Sequence, residues 1–132
     1  MAYNEGLLNT VSAPAGADFS GKQFYAVSLV ADAANPPGVK AAVAAAGKAC
    51  AGVLQNNPLS GQAATIQRSG TTKVAISASQ VVAAGGLLDV DTGGTLLPHG
   101  AGTAVAQAME PLASTAQVMI ISAMLLPGNA AF

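Results

Sequence analysis

The sequence reads as mainly β: a compact barrel- or sandwich-like domain with an extended N-terminal arm. Three observations predict this class. Turn residues recur at short, fairly regular spacing, as at Asn35-Pro36-Pro37-Gly38, Asn56-Asn57-Pro58, Ser69-Gly70, Gly85-Gly86 and Gly93-Gly94. The segments between them run about five to ten residues, a length that suits strands better than helices. Several of these segments alternate apolar and polar positions with the period of two that a half-buried strand requires. A chain of 132 residues is long enough for one such domain.

Taken in chain order, residues 1–21 read as an arm, 22–126 as the β domain and 127–132 as a C-terminal tail. The first segment lacks sustained alternation but carries Tyr3, Leu7, Leu8 and Phe19. It is either a frayed terminus or an arm whose apolar residues dock on a neighbouring subunit, and the apolar content favours the arm. Ala41 to Ala46 is ambiguous. Alanine is the best helix former, yet the stretch follows Pro36-Pro37-Gly38 and has no 3.6-residue apolar stripe, so strand and loop stands beside a short helix.

Further along, Ala64 and Ile66 share one face of a strand, and Val74 and Ile76 share one face of the next. Leu87-Leu88-Asp89-Val90-Asp91 and Thr95-Leu96-Leu97 flank Thr92-Gly93-Gly94, a hairpin signal. Gln117 to Leu126 is the longest strand candidate, with Val118, Ile120 and Ser122 opposite Met119, Ile121 and Ala123. A faint internal echo joins Ala49–Leu54 and Pro58-Leu59-Ser60 to Ala104–Met109 and Pro111-Leu112: strand, Pro-Leu corner, strand.

Composition bounds the function. Hydrophobic residues make up 52% of the chain, but 30 of them are alanines and only 35 are Val, Ile, Leu, Met or Phe. That supports one modest core. Charged residues are 8%, with a net charge of −1, against ~25% charged residues in an ordinary soluble domain. A folded chain of this mass exposes roughly 6,300 Å², about one charge per 570 Å², so much of the surface is Ala, Gly, Ser, Thr, Gln and Asn. A lone monomer with that surface is poorly protected against association, and a component of an assembly is the natural reading. One Arg and four Lys cannot neutralise a phosphate backbone, so no nucleic-acid partner is expected. The apolar run Val118–Leu126, ended by Pro127, is about half the length of a membrane span, and no membrane partner is expected. The chain begins without a basic segment before an apolar run, so no secretory signal is read.

No catalytic set emerges. Asp91-Thr92-Gly93 after an apolar strand has the form of the aspartic-protease turn, in which two subunits pair their carboxylates. Only 39 residues follow Gly93, however, and Ile120-Ile121 is followed by Ser122 rather than Gly. A hairpin turn built on Asp and two glycines accounts for the same residues. Asp89 and Asp91 share a strand face, a weak basis for a divalent ion, and a solvated edge is the simpler reading. His99 and Cys50 supply at most two zinc ligands where three or four are needed. His99 reads as a loop residue and Cys50 as a small core residue. Gly47-Lys48 is followed by Ala49, which breaks a P-loop, and Gly100-Ala101-Gly102 lacks the third glycine of a dinucleotide loop. A non-enzyme without cofactor or metal is the expectation.

One resemblance adds to this. Gly52-Val53-Leu54, Pro58, Gly61, Gly70-Thr71-Thr72-Lys73-Val74, Val82-Ala83-Ala84-Gly85-Gly86-Leu87-Leu88, Asp91 and Gly93-Gly94 follow one another in an order that resembles the capsid decoration, or cement, proteins of tailed bacteriophages. The likeness covers roughly residues 47–125. It implies a compact β domain on the outer face of an assembled head, present as a homotrimer with a dimer as the alternative. The partner it implies is the major capsid protein, and the role is to bridge capsomers against the pressure of packaged DNA. The chain would be made in the host cytoplasm and end in the virion. A phage tail or fibre module and the small dimeric protease are the competing readings.

Overall fold

A computed structural model describes residues 10–34, 38–114 and 116–126. These contain ten strands and no helix. The strands are β1 (Thr10–Pro14), β2 (Ala26–Ala31), β3 (Val39–Val43), β4 (Gly52–Leu54), β5 (Ala63–Gln67), β6 (Gly70–Ile76), β7 (Leu87–Val90), β8 (Leu96–Pro98), β9 (Ala104–Ala108) and β10 (Met119–Leu125). The mainly β expectation is met.

The first five strands form one sheet in the order β1-β5-β4-β2-β3, every neighbouring pair antiparallel. It curls until its two edges touch. Ala15, just past β1, bridges Ala41 of β3 in parallel, and the Gly16 N–H donates to the Ala41 carbonyl at 2.8 Å. The last five strands close on themselves as a small barrel, β10-β6-β8-β7-β9, sealed by the β9–β10 pairing. All its contacts are antiparallel except β6 with β8, which meet at Ile76 and Leu96.

Period-two alternation decides which side chains enter each core. On β10, Ile121, Ala123 and Leu125 are buried while Ile120 and Met124 face out. Val74 and Ile76 of β6, Leu88 and Val90 of β7, Leu96, and Val105 of β9 meet them inside. A second cluster lies within the curled sheet: Ala15, Phe19, Val27, Ala41, Leu54, Ala64 and Ile66. The structure thus has two small cores where the composition suggests one. Alanine makes this feasible, because strands lined with small side chains can curl tightly around few large ones.

The sheets are fused through the backbone. The Ala26 N–H donates to the Gly94 carbonyl at 2.7 Å, and the Gly47 N–H to the Val90 carbonyl at 2.8 Å. Phe24 spans the junction: its N–H reaches the Leu54 carbonyl and its carbonyl accepts from Ala75. It does so at φ 74°, a conformation an aromatic residue seldom adopts.

The Ala41–Ala46 stretch resolves as strand and loop. Its first residues belong to β3, where five residue pairs with β2 outweigh a helix propensity worth tenths of a kcal/mol per residue. The echoing units are likewise both antiparallel strand pairs joined by a Pro-Leu corner, β4–β5 and β9–β10.

The N-terminal arm expected over residues 1–21 needs correction. Residues 10–21 belong to the domain. β1 pairs with β5 at five positions, and Phe19 is 2% exposed within the domain's own core. The physical reason is that Ala13 and Ala15 point inward, with Val11 packed against the same cluster, an alternation easy to overlook when its residues are small. Tyr3, Leu7 and Leu8 lie outside the described residues, as does the tail 127–132.

Candidate interaction surface

Asp89 and Asp91, the carboxylates behind the protease and metal readings, are both engaged within the domain. Asp91 closes the β7–β8 turn. Its N–H donates to the Thr95 carbonyl at 2.7 Å, and its Oδ1 accepts from the Thr92 N–H at 2.7 Å. Its Oδ2 accepts from the Ser77 hydroxyl at 2.6 Å, and that hydroxyl also meets Thr95 Oγ1 at 2.7 Å. Both oxygens are therefore occupied in holding a hairpin, with positive-φ glycines at Gly93 and Gly94 supplying the reversal.

Asp89 does not lie on a solvated edge, as its strand position suggests. It is 4% exposed. Its Oδ1 lies 2.6 Å from His99 Nδ1, and its Oδ2 accepts from the N–H groups of Gly100 at 3.0 Å and Gly102 at 3.2 Å. Three donors on one buried carboxylate tie the β8–β9 loop to the barrel wall. His99 is thus a partner of Asp89 rather than a loop residue without a role. Among the described residues no three of His, Cys, Asp and Glu gather as a metal site. Cys50 is buried, as expected for a core residue, and burial pushes its thiol pKa up to about 11 against a weaker opposing hydrogen bond from Gly52. A thiol so raised is a poor nucleophile.

What remains for function is surface. The outer face of β10 is the first candidate. Ile120 and Met124 stand out from it, flanked by Val118, Met119 and, across the β9–β10 corner, Met109, all exposed. Ser122 between them faces Lys73 on β6, and a shallow depression lined by Thr71, Thr72, Lys73, Met109 and Ser122 adjoins the apolar residues. Every methionine among the described residues is here. Methionine suits adaptable contact surfaces, being apolar and unbranched. Glu110, the nearby acid, serves the fold: where β9 ends, its Oε2 accepts from the Ser122 N–H at 2.9 Å.

The second candidate is the outer end of the β2–β3 hairpin, where Leu29, Val30 and Val39 are exposed. Neither surface is among the interface residues expected from sequence. The signal for the first is present in the uninterrupted apolar run 118–121, where both faces of one strand are large and apolar. A strand with one solvated face alternates instead.

No family model matches the chain, and no curated protein matches its sequence. Among solved structures, the head fiber gp8.5 N base of bacteriophage phi29 is similar to it. The two share 12% sequence identity, with a TM-score of 0.68 over 93% of this chain and 96% of that one. The shared feature is the fold, traced through nearly the whole length of both chains.

Proposed function

We propose that the chain is a structural protein of a phage virion, which binds the outer surface of the assembled head as a decoration protein and joins neighbouring capsomers. The observation that carries this reading is the fold shared, over 93% of this chain, with a phage head fiber base. The surface supports it: a Met-rich, nearly uncharged face on β10 can be buried without the cost of stripping water from unpaired charges. In this reading the major capsid protein covers Ile120, Met124 and Met109, and the chain acts as a homotrimer, with a dimer as the alternative. Its work is binding energy alone, with no reaction and no cofactor.

The test is attachment. Purified protein is added to heads that lack it, and the particles are pelleted. Saturable binding that Ile120→Asp with Met124→Asp removes supports the reading. Full binding by that variant moves the interface elsewhere, and no binding to heads at all removes the function. A second reading, a fibre module, is favoured by the fiber base itself. Gold-labelled antibody against the chain separates the two: label over the head surface fits decoration, and label confined to projecting fibres fits the alternative.

A further inference from the structure

The inner face of the curled sheet runs out of cover at one end. Val27 and Ala41 on this face are buried, but the next residues on the same face, Leu29 at 40% and Val39 at 47%, are open, with Ala31 exposed beside them. The cause is strand length. β4 pairs with β2 only at Ala26 and Val27, so beyond Val27 the outer edge of β2 has no strand beside it among the described residues, and past the Ala15–Ala41 bridge the hairpin is two strands, which is marginal in water without something packed on it.

The chain's own course points to the cover. Because Ala15 and Ala41 bridge in parallel, stepping back along β1 towards Thr10 runs the same way as stepping back along β3 towards Val39. That register sets Ala13 level with Val39, and Thr10 lies about 10 Å further out. The described chain therefore begins, at Thr10, beside its uncovered end and beyond it.

We propose that residues 2–9 of one copy pack along the exposed end of the β2–β3 hairpin of a neighbouring copy, so that copies of the chain are joined by exchanged N-terminal segments. Length favours the neighbour over the same molecule. To fold back on its own hairpin the chain must reverse at Leu8-Asn9, which returns Leu7 only to the level of Thr10 and leaves Tyr3 alone within reach of Leu29. Running onward, eight residues span about 26 Å and carry Tyr3, Leu7 and Leu8 onto a second molecule. This goes beyond the virion reading and does not require it, since no shell takes part.

Intact chains carrying Leu7→Cys and tagged chains carrying Val39→Cys are mixed, allowed to associate and oxidised; Cys50 is buried and does not compete. A disulfide joining tagged to untagged chain is expected. Associated copies without that link overturn the proposal, as does a chain that stays monomeric at tens of micromolar. In the double variant, a link confined within one chain also overturns it. Leu7→Asp with Leu8→Asp is expected to weaken self-association by about 100-fold while leaving monomer melting unchanged. Self-association unaffected by that change is the remaining contrary result.

Discussion

His99 Nδ1 donates to the buried Oδ1 of Asp89 across 2.6 Å, and the pair locks the loop that follows β8. A carboxylate only accepts, and here the donors all belong to one loop: His99 itself, Gly100 and Gly102. Gly102 in turn sits against Gly47, and the Thr103 N–H donates to the Gly47 carbonyl at 3.0 Å. The carboxylate thereby steadies the seam between barrel and sheet. Asp89→Ala leaves the Gly102 N–H without its acceptor and should lower stability by about 2–4 kcal/mol. His99→Ala keeps both glycine bonds and should cost about 1 kcal/mol. Urea unfolding of both variants checks the ratio, and equal losses would contradict this account of the loop.

Cys50 makes a prediction about alkaline pH. Its thiol ionises near pH 9.0 ordinarily and at about 11 in the fold. Below pH 9 it is protonated in both states and adds no pH dependence. Between the two values the unfolded chain loses the proton and the folded chain keeps it, so stability falls as pH rises. The accumulated loss is on the order of 3 kcal/mol. Cys50→Ala should lack this component when wild type and variant are compared from pH 8 to 11. In the native protein at pH 8 the thiol should react with a disulfide reagent only as fast as the domain opens.

Two glycines test how close the strands approach. A Cβ at Gly52 would overlap the Gln67 carbonyl oxygen and crowd Ile66 Cγ2 at 2.8 Å, whereas a Cβ at Gly100 meets open space. Gly52→Ala should therefore destabilise by about 3 kcal/mol or more, because backbone rather than a pliable side chain must yield. Gly100→Ala should lie within about 0.5 kcal/mol of wild type, its N–H still reaching Asp89. Thermal melts of the two variants give the comparison.

Attachment by the β10 face should be insensitive to salt. Lys73 is the charge on β6 facing that strand, and apolar contact is not screened. At about 1 M salt, where the Debye length is ~3 Å, particles carrying the protein should keep it through sedimentation. Release by salt alone would show that charge pairs dominate the interface.

The parts of the fold legible in sequence are those with large side chains in regular alternation. β10, β5, β6 and the β7–β8 hairpin fall where alternation and the Thr92-Gly93-Gly94 turn put them. β1 escapes such a reading because its inward residues are Val11 and Ala13, too small to mark a stripe, and because it ends on Pro14, which an edge strand tolerates. Asp89 defeats it for a different reason. Its partners come from a loop ten to thirteen residues on, and two of them are backbone N–H groups of glycines, which no side-chain pattern records. The interaction surfaces are hidden because exposure depends on where a neighbouring strand stops. Leu29 and Val27 share a face, yet Val27 packs in the smaller core while Leu29, past the last β2–β4 pairing, is open.

The corrected boundary of the N-terminal segment yields the sharpest test of the fold. Phe19 fills the smaller core together with Leu54 and Ile66, and its N–H donates to the Pro58 carbonyl at 2.9 Å. Phe19→Ala should cost about 3–5 kcal/mol, the range for deleting a buried ring, a large part of a small domain's stability. Deleting residues 2–9 leaves all five β1–β5 pairings and Phe19 in place and should keep the melting temperature of the monomer within a few degrees of the full chain's. Deleting residues 2–19 takes β1 away from β5, strips the bridge to Ala41 and empties the core of Phe19, so that chain should not give a cooperative melt. Were residues 10–19 instead part of a detachable arm, both truncations would melt alike, and equal midpoints in a calorimeter would decide against the boundary at Thr10.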